Sequence, residues 1–206
     1  MIRKATDIFS EWASIGKDEG MQRNHWNAVK KMFQILNKEQ FQPFSFIDAG
    51  CGNGWAVREM LKNPLCLNAV GVDGAIEMIE RAKKTDPNGN YIYKDLMEWE
   101  PKALVDIVHS MEVIYYFNDP KKLILHIKDK WLKPNGKLIM GLDFYEENSD
   151  CHDWPKQLDT QMTLLSINQW VELLKNCGLK DVISYQTNTN DSFEGTLVLY
   201  AKKWIK

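Results

Sequence analysis

The sequence predicts an α/β fold: a doubly wound, mostly parallel seven-stranded sheet that closes with a C-terminal antiparallel hairpin. Three observations predict it. Short apolar runs alternate with amphipathic stretches through most of the 206 residues, which implies parallel strands covered on both faces by crossover helices. The first of these runs breaks straight into a glycine-rich turn and then a helical pattern. The last two strand-like runs are joined by residues 188–195 with no helical pattern between them, so they must pair antiparallel.

Residues 1–21 are polar with embedded Phe9 and Trp12, and support a short helix to about Ala13 followed by a glycine-flanked loop. Residues 22–38 read as an amphipathic helix, because Trp26, Val29, Met32, Phe33 and Leu36 recur at spacings of three and four. Gln40, Gln42 and Pro43 end it. The run from Phe44 to Ala49 is the first strand. Gly50, Gly52 and Gly54 then occupy alternate positions, and Trp55, Ala56, Val57, Met60 and Leu61 begin a helix whose other side carries Arg58, Glu59 and Lys62. Residues 67–73 form the second strand, and Gly74 leads to a helix with Ile76, Met78, Ile79 and Ala82 inward.

The Asp-Pro-Asn-Gly-Asn run at residues 86–90 is a turn. Residues 91–94 make a short third strand ending at Asp95, and residues 104–110 make the fourth. Asn118, Asp119 and Pro120 open a helix with a capping residue and a proline at its first position. Its buried stripe is Leu123, Ile124, Ile127, Trp131 and Leu132, and Pro134, Asn135 and Gly136 end it. Residues 137–143 are the fifth strand. Residues 144–165 exceed an ordinary connection, and such segments carry function or hide local structure. Ser166 and Gln169 form a capping box for a last helix that stops at Gly178. Residues 181–186 and 196–201 complete the sheet.

Composition narrows the class. With 26 basic and 28 acidic side chains the formal net charge is −2, so no global field attracts nucleic acid. Hydrophobic content of 44% and charged content of 26% are those of a soluble globular domain. No run reaches the ~18 apolar residues of a membrane span. The four cysteines contain no C-x-x-C pair, and the N-terminus lacks a secretory apolar region, which together predict a reducing, cytoplasmic setting.

On a sheet of this kind ligands bind beyond the carboxyl ends of the strands, where strand order reverses. Asp48 and Gly50, Asp73, Asp95, and Ser110 and Met111 all lie at such ends. Glycines there tolerate positive φ and let amides face a ligand. A dinucleotide fingerprint fails at its third glycine, where Trp55 stands, and no Gly-Lys-Ser/Thr follows for a phosphate loop. Without a basic residue in the turn, a pyrophosphate is a poor fit.

The run from Ile47 to Gly54, Ile-Asp-Ala-Gly-Cys-Gly-Asn-Gly, resembles the D-x-G-x-G-x-G signature of class I (Rossmann-like) S-adenosylmethionine-dependent methyltransferases. Gly71-Val72-Asp73 and Lys94-Asp95-Leu96 are similar to that family's second and third strand ends. The residues from Leu132 to Leu138 look like its segment before strand five, so the resemblance spans roughly residues 40–205. It implies S-adenosylmethionine as cofactor, an N-terminal helical lid over residues 1–38, and a cofactor-binding domain over residues 39–206. It implies a cofactor site of Asp48, Gly50, Cys51, Gly52, Gly54, Asp73, Gly74, Asp95, Leu96, Ser110 and Met111. In that site Asp48 faces the ammonium and Asp73 accepts from both ribose hydroxyls. Asp95 accepts from the adenine amine, the Leu96 amide donates to a ring nitrogen, and Ile76, Met78 and Leu96 sandwich the ring. Cys51 is a small filler of the turn.

The acceptor side is framed by residues 9–26, 111–118 and 144–165. These carry Trp12 and Trp26, then Tyr115, Tyr116 and Phe117, then Phe144, Tyr145 and Trp154, which suit an apolar or cationic small molecule. Trp26 reads as core, since it lies on its helix stripe. Catalytic candidates are His25, Tyr115, Tyr116 and His152, with His25 and His152 the histidines expected at the pocket. Asp106 and Asp143 are open between loop-orienting and edge roles. Cys151, His152 and Asp153 are adjacent and cannot all face one ion, so no metal is expected. The residues after strand four, Ser110-Met111-Glu112-Val113, lack the Asn/Asp-Pro-Pro-Tyr pattern of nucleic-acid and glutamine modifiers. The expected function is methyl transfer to a small molecule at O, N or C, with neither nucleic acid nor membrane as partner. A catalytically silent cofactor-binding regulatory or partner subunit is the alternative, and a nicotinamide-dependent dehydrogenase a weaker third.

Overall fold

A computed structural model describes residues 2–190 and 193–204. In chain order it comprises helix α1 (Ala5–Ser14), a 3-10 turn (Lys17–Gly20), α2 (Met21–Glu39), β1 (Phe44–Ala49), α3 (Trp55–Met60), β2 (Cys66–Asp73), α4 (Ile76–Thr85), β3 (Asn90–Tyr93) and β4 (Val105–Met111). There follow a 3-10 turn (Ile114–Tyr116), α5 (Pro120–His126), a π-helical turn (Ile127–Trp131), β5 (Leu132–Leu142), α6 (Trp154–Gln157), α7 (Ile167–Asn176), β6 (Leu179–Thr187) and β7 (Thr196–Lys203). The seven strands form one sheet in the order β3-β2-β1-β4-β5-β7-β6. β1 to β5 are parallel, and β7 runs antiparallel to both β5 and β6. Strand order reverses between β1 and β4, which opens a crevice at their carboxyl ends.

Alternation along the strands builds two cores. Ile47 and Ala49 of β1 point to one face, where Val108, Leu123, Ile127, Trp131 and Trp170 fill the space under α5 and α7. Phe44 and Phe46 point to the other, against Val29, Met32 and Leu36 of α2 and Val57 and Met60 of α3. Asp48 falls on this second face, beneath α2. Among the described residues, no helix is long and apolar enough to cross a membrane.

Local signals act as expected at several points. Asp119 caps α5 by accepting from the Lys122 amide, with Pro120 at its start. Ser166 and Gln169 close a reciprocal capping box on α7. The 144–165 segment holds short helices at Ser149–Cys151 and Trp154–Gln157. Two boundaries differ. The helix expected to reach Leu132 ends at His126 and widens into the π turn, whose Trp131 indole donates to the Trp99 carbonyl at 2.9 Å. β5 begins at Leu132, which pairs with Val105. Pro134–Gly136 then bulge out, with Asn135 at φ 60°, and pairing resumes from Lys137 to Ile107. Those turn residues therefore interrupt a strand rather than end a helix.

The N-terminal helices lie over the crevice. Ala13 of α1 joins Ala75 and Met78 in a small apolar cluster with Phe9, Trp12 and Met21. The residues before α1 form a strap to the 144–165 segment. Arg3 donates its amide to the Asp159 carbonyl at 2.7 Å, and the Thr160 hydroxyl donates to the Arg3 carbonyl at 2.8 Å.

Candidate active site

The crevice at the ends of β1, β2, β3 and β4 has a volume of about 1040 Å³, at the upper end of the ~300–1,000 Å³ range of small-ligand sites. Asp48, Asp73 and Asp95 line it from three successive strand ends. Asp73 Oδ2 accepts from the Gly52 amide at 2.8 Å and Oδ1 from the Ala75 amide at 2.7 Å. These bonds fix the carboxyl plane and leave a lone pair on each oxygen for a ligand. Burial raises its pKa to about 6, against the opposing pull of those amides. Asp95 Oδ1 accepts from the Met97 amide at 2.8 Å.

Packing shapes the glycine turn. At Gly50 and Gly54 φ is 78°, in the left-handed region that disfavours other residues. A Cβ on Gly50 would lie 2.2 Å from Val113 Cγ2, and one on Gly54 would lie 2.3 Å from the Tyr91 ring. Gly52 differs, because it faces the crevice, where the Met21 side chain of α2 covers it. Arg58, the first basic residue after the turn, is engaged with the Asn53 carbonyl at 2.7 Å. Asn53 ties the turn to the N-terminal segment by donating to Asp18 Oδ2 at 2.9 Å.

The structure sorts the residues singled out from sequence. Gly50, Cys51, Gly52, Gly74, Leu96 and Met111 line the crevice with the three aspartates, as do Ile76 and Met78. Gly54 and Ser110 do not: Gly54 faces Tyr91 beneath the turn, and the buried Ser110 hydroxyl donates to the Ala49 carbonyl at 2.9 Å. Of the catalytic candidates, His25, Tyr115 and Tyr116 line it. His152 does not; it is exposed, with Nε2 at 3.0 Å from the Glu146 carbonyl oxygen. Among the aromatics Trp12, Tyr115, Tyr116, Phe117 and Trp154 reach the crevice. Phe144 and Tyr145 are core, and Trp26 packs edge-on against Trp55. Asp106 sits at the opposite end of β4, where it joins Ser45 and Lys133.

Two polar residues escaped the sequence reading. His109, 0% exposed, pairs its Nδ1 with Asp48 Oδ1 at 2.7 Å. A carboxylate only accepts, so Nδ1 carries the hydrogen. Its Nε2 is buried without a protein partner, and the ring lines the crevice while stacking on Phe46. Glu112 stands just past β4 with φ 59°. Its Oε1 accepts from the Asp143 amide at 2.5 Å and its Oε2 from the Tyr115 hydroxyl at 2.8 Å. Burial and the Asp143 charge push its carboxyl well above the usual range. Behind the wall, Asp143 Oδ2 lies 3.9 Å from His25 Nδ1. Burial lowers the His25 pKa, which favours the neutral imidazole, and the neighbouring Asp143 only partly offsets this.

A doubly wound sheet in the order β3-β2-β1-β4-β5-β7-β6, closed by an antiparallel C-terminal hairpin, is the class I methyltransferase fold. The pattern of the methyltransferase-domain family matches residues 19–184, and the chain belongs to that S-adenosylmethionine-dependent family. It is 28% identical over 155 residues to the malonyl-[acyl-carrier protein] O-methyltransferase of Halalkalibacterium halodurans, covering 68% of this chain and 57% of that one. Against the trans-aconitate 2-methyltransferase of Azoarcus sp. it is 29% identical over 96 residues, 47% of this chain and 38% of the relative. The chain thus spans about half the length of the curated relatives it matches. Among solved structures, a chain of the complex between the Haloferax volcanii Trm112 methyltransferase activator and a methyltransferase superposes with a TM-score of 0.84, at 25% identity and over 100% of both chains. The N-methyltransferase NodS of Bradyrhizobium japonicum, solved with S-adenosyl-L-homocysteine, shares the fold with a TM-score of 0.68, at 17% identity over 85% of each chain.

The residues present fit S-adenosylmethionine. Three carboxyl groups meet a ligand that has an ammonium, a diol and an amine, and a turn without a free cation suits a ligand without phosphate.

Proposed function

We propose that the protein transfers a methyl group from S-adenosylmethionine to a small-molecule acceptor. The observation that carries this reading is the row of Asp48, Asp73 and Asp95 along one crevice. When bound, the cofactor supplies an electrophilic methyl group on a sulfonium. Asp48, steadied by His109, holds the ammonium of the methionine tail. Asp73 accepts from the ribose hydroxyls as a bidentate, charge-assisted acceptor. Asp95 and the Leu96 amide read the adenine edge, with Ile76 and Met78 against its faces. Residues 1–38 act as a lid, and the strap between Arg3 and Thr160 excludes water from the closed site. His25, neutral and backed by Asp143, takes a proton from an acceptor that must lose one. All four cysteines are free, which agrees with a reducing, cytoplasmic setting.

Two measurements test this reading. Calorimetry with S-adenosylhomocysteine must show binding, and tritiated methyl transfer onto a metabolite panel must show turnover. Absence of binding at millimolar concentration sinks it.

The likeness to a chain solved with an activator protein favours a second reading, in which the protein binds cofactor but stays silent without a partner subunit. Binding without turnover, restored by adding a Trm112-type activator, distinguishes this reading from the first.

A further inference from the structure

We propose that the methyl acceptor is an amine, whose nitrogen sits between the Glu112 carboxyl and the aromatic wall of Tyr116, Phe117 and Trp154. This rests on the methyltransferase reading above and names the substrate class of the same crevice.

The charges lining the crevice fall into three groups. Asp48, Asp73 and Asp95 lie along the strand ends that take the cofactor. Arg3 and Lys4 lie at the strap, Asp7 at the start of α1, and Lys94 and Glu98 beside the β3 end. Beyond the cofactor positions, the wall holds Glu112 and His25. Glu112 is fixed from behind by two donors, the Asp143 amide and the Tyr115 hydroxyl. Among the described residues none of the ion pairs involves it. Burial disfavours the charge on this carboxyl, and a cation brought in by the ligand offsets that penalty by pairing with it.

The aromatic residues point to the same ligand chemistry. Tyr116 meets Phe9 edge-on with centroids 5.5 Å apart, and Trp154 stacks on Phe144 at 6.3 Å, so the wall is rigid. Ring faces beside a carboxyl form the usual setting for an ammonium. The cations of the crevice, Lys4 and Lys94 among them, stand at the strap and the β3 end rather than at this wall. His25 is neutral and backed by Asp143, and the Arg3 guanidinium is paired with Glu11. Glu112 also occupies left-handed backbone, a strained conformation for a non-glycine residue that gathers at ligand sites.

The step balances. The bound ammonium gives one proton to the neutral His25 imidazole. The freed nitrogen lone pair forms a bond to the methyl carbon as the carbon–sulfur bond breaks and its electron pair goes to sulfur. Positive charge passes from sulfur to nitrogen, and the methylated ammonium again faces Glu112.

The test uses the full chain and three probes with one aromatic body: phenethylamine, 3-phenylpropionate and 2-phenylethanol. S-adenosylhomocysteine is titrated first, and its binding checks the underlying reading independently. With it bound, phenethylamine is expected to bind at least about tenfold tighter than the acid or the alcohol. Glu112→Gln, which keeps the side-chain volume, should weaken the amine by about tenfold and leave S-adenosylhomocysteine within about twofold. If that variant does not fold, Tyr115→Phe removes a donor that favours the ionised Glu112 carboxylate and should weaken the amine by about threefold. Amine binding no tighter than that of the acid or the alcohol, absence of binding included, overturns the inference while S-adenosylhomocysteine still binds. Indifference of the amine to the variant that folds overturns it as well. Failure of S-adenosylhomocysteine to bind overturns the methyltransferase reading instead.

Discussion

Asp48 and His109 face each other from paired positions on β1 and β4, and their 2.7 Å hydrogen bond spans the point where the strand order reverses. The crevice opens at this same point. The pair holds one aspartate oxygen in place and leaves the other available to a ligand, so in the proposed cofactor role this carboxylate is oriented before binding.

His109→Phe keeps the ring stacked on Phe46 but removes the donor. The Asp48 carboxylate is then buried without its partner, which costs about 1–3 kcal/mol of stability. S-adenosylhomocysteine affinity should fall with it, and His109→Asn, which still donates, should recover part of the loss. Urea unfolding and calorimetry read the two effects separately; a stable His109→Phe variant with unchanged affinity would remove the pair from the account.

Asp73 gives a pH signature. Its pKa stands at about 6 because the group is buried. In the proposed role ribose hydroxyls donate to the ionised form, so cofactor affinity should be full above this value and fall as pH drops through about 6. A titration of S-adenosylhomocysteine affinity against pH checks the sign, and an affinity that rises on acidification contradicts the assignment.

The glycine turn should resist substitution beneath the crevice as well as inside it. Gly54→Ala places a Cβ 2.3 Å from Tyr91 at φ 78°. Left-handed strain of about 1–2 kcal/mol and overpacking of about 1–3 kcal/mol together predict a loss of about 2–5 kcal/mol in denaturant unfolding. A loss under about 1 kcal/mol would show that the turn yields more easily than the packing indicates.

In the proposed closed site, opening the strap sets the rate of cofactor exchange. Thr160→Val deletes the hydroxyl that donates to the Arg3 carbonyl. Loss of one such bond, about 0.5–1.5 kcal/mol, should speed S-adenosylhomocysteine release by about two- to tenfold in stopped-flow fluorescence. An unchanged rate places the exit elsewhere.

Much of the fold was legible because its signals are local. Alternating apolar runs, the capping box at Ser166 and Gln169, and the Asp119-Pro120 helix start each act within a few residues. The three aspartates were legible for the same reason, since each stands at or just past the carboxyl end of a strand. What escaped depends on register. His109 lies in a run of apolar strand residues, and its pairing with Asp48, 61 positions away, appears only once β1 and β4 are aligned. Glu112 gave a weak signal as an acid directly after a strand, but its tie to the Asp143 amide joins two strand ends. Conversely, Ser110 and Gly54 sit in the right motifs yet face away from the crevice, one toward the Ala49 carbonyl and the other toward Tyr91. The pleat and the left-handed turn set those directions. The bulge at Pro134–Gly136 carries the same residues as a helix stop, and only the pairing of Leu132 with Val105 tells them apart.

The most direct test of the central claim is calorimetric titration of the full chain and of Asp73→Ala with S-adenosylhomocysteine. The account predicts one site per chain, weakened about tenfold or more when the ribose loses its charged acceptor. No binding by the unaltered chain, or equal affinity in a folded Asp73→Ala variant, would contradict it.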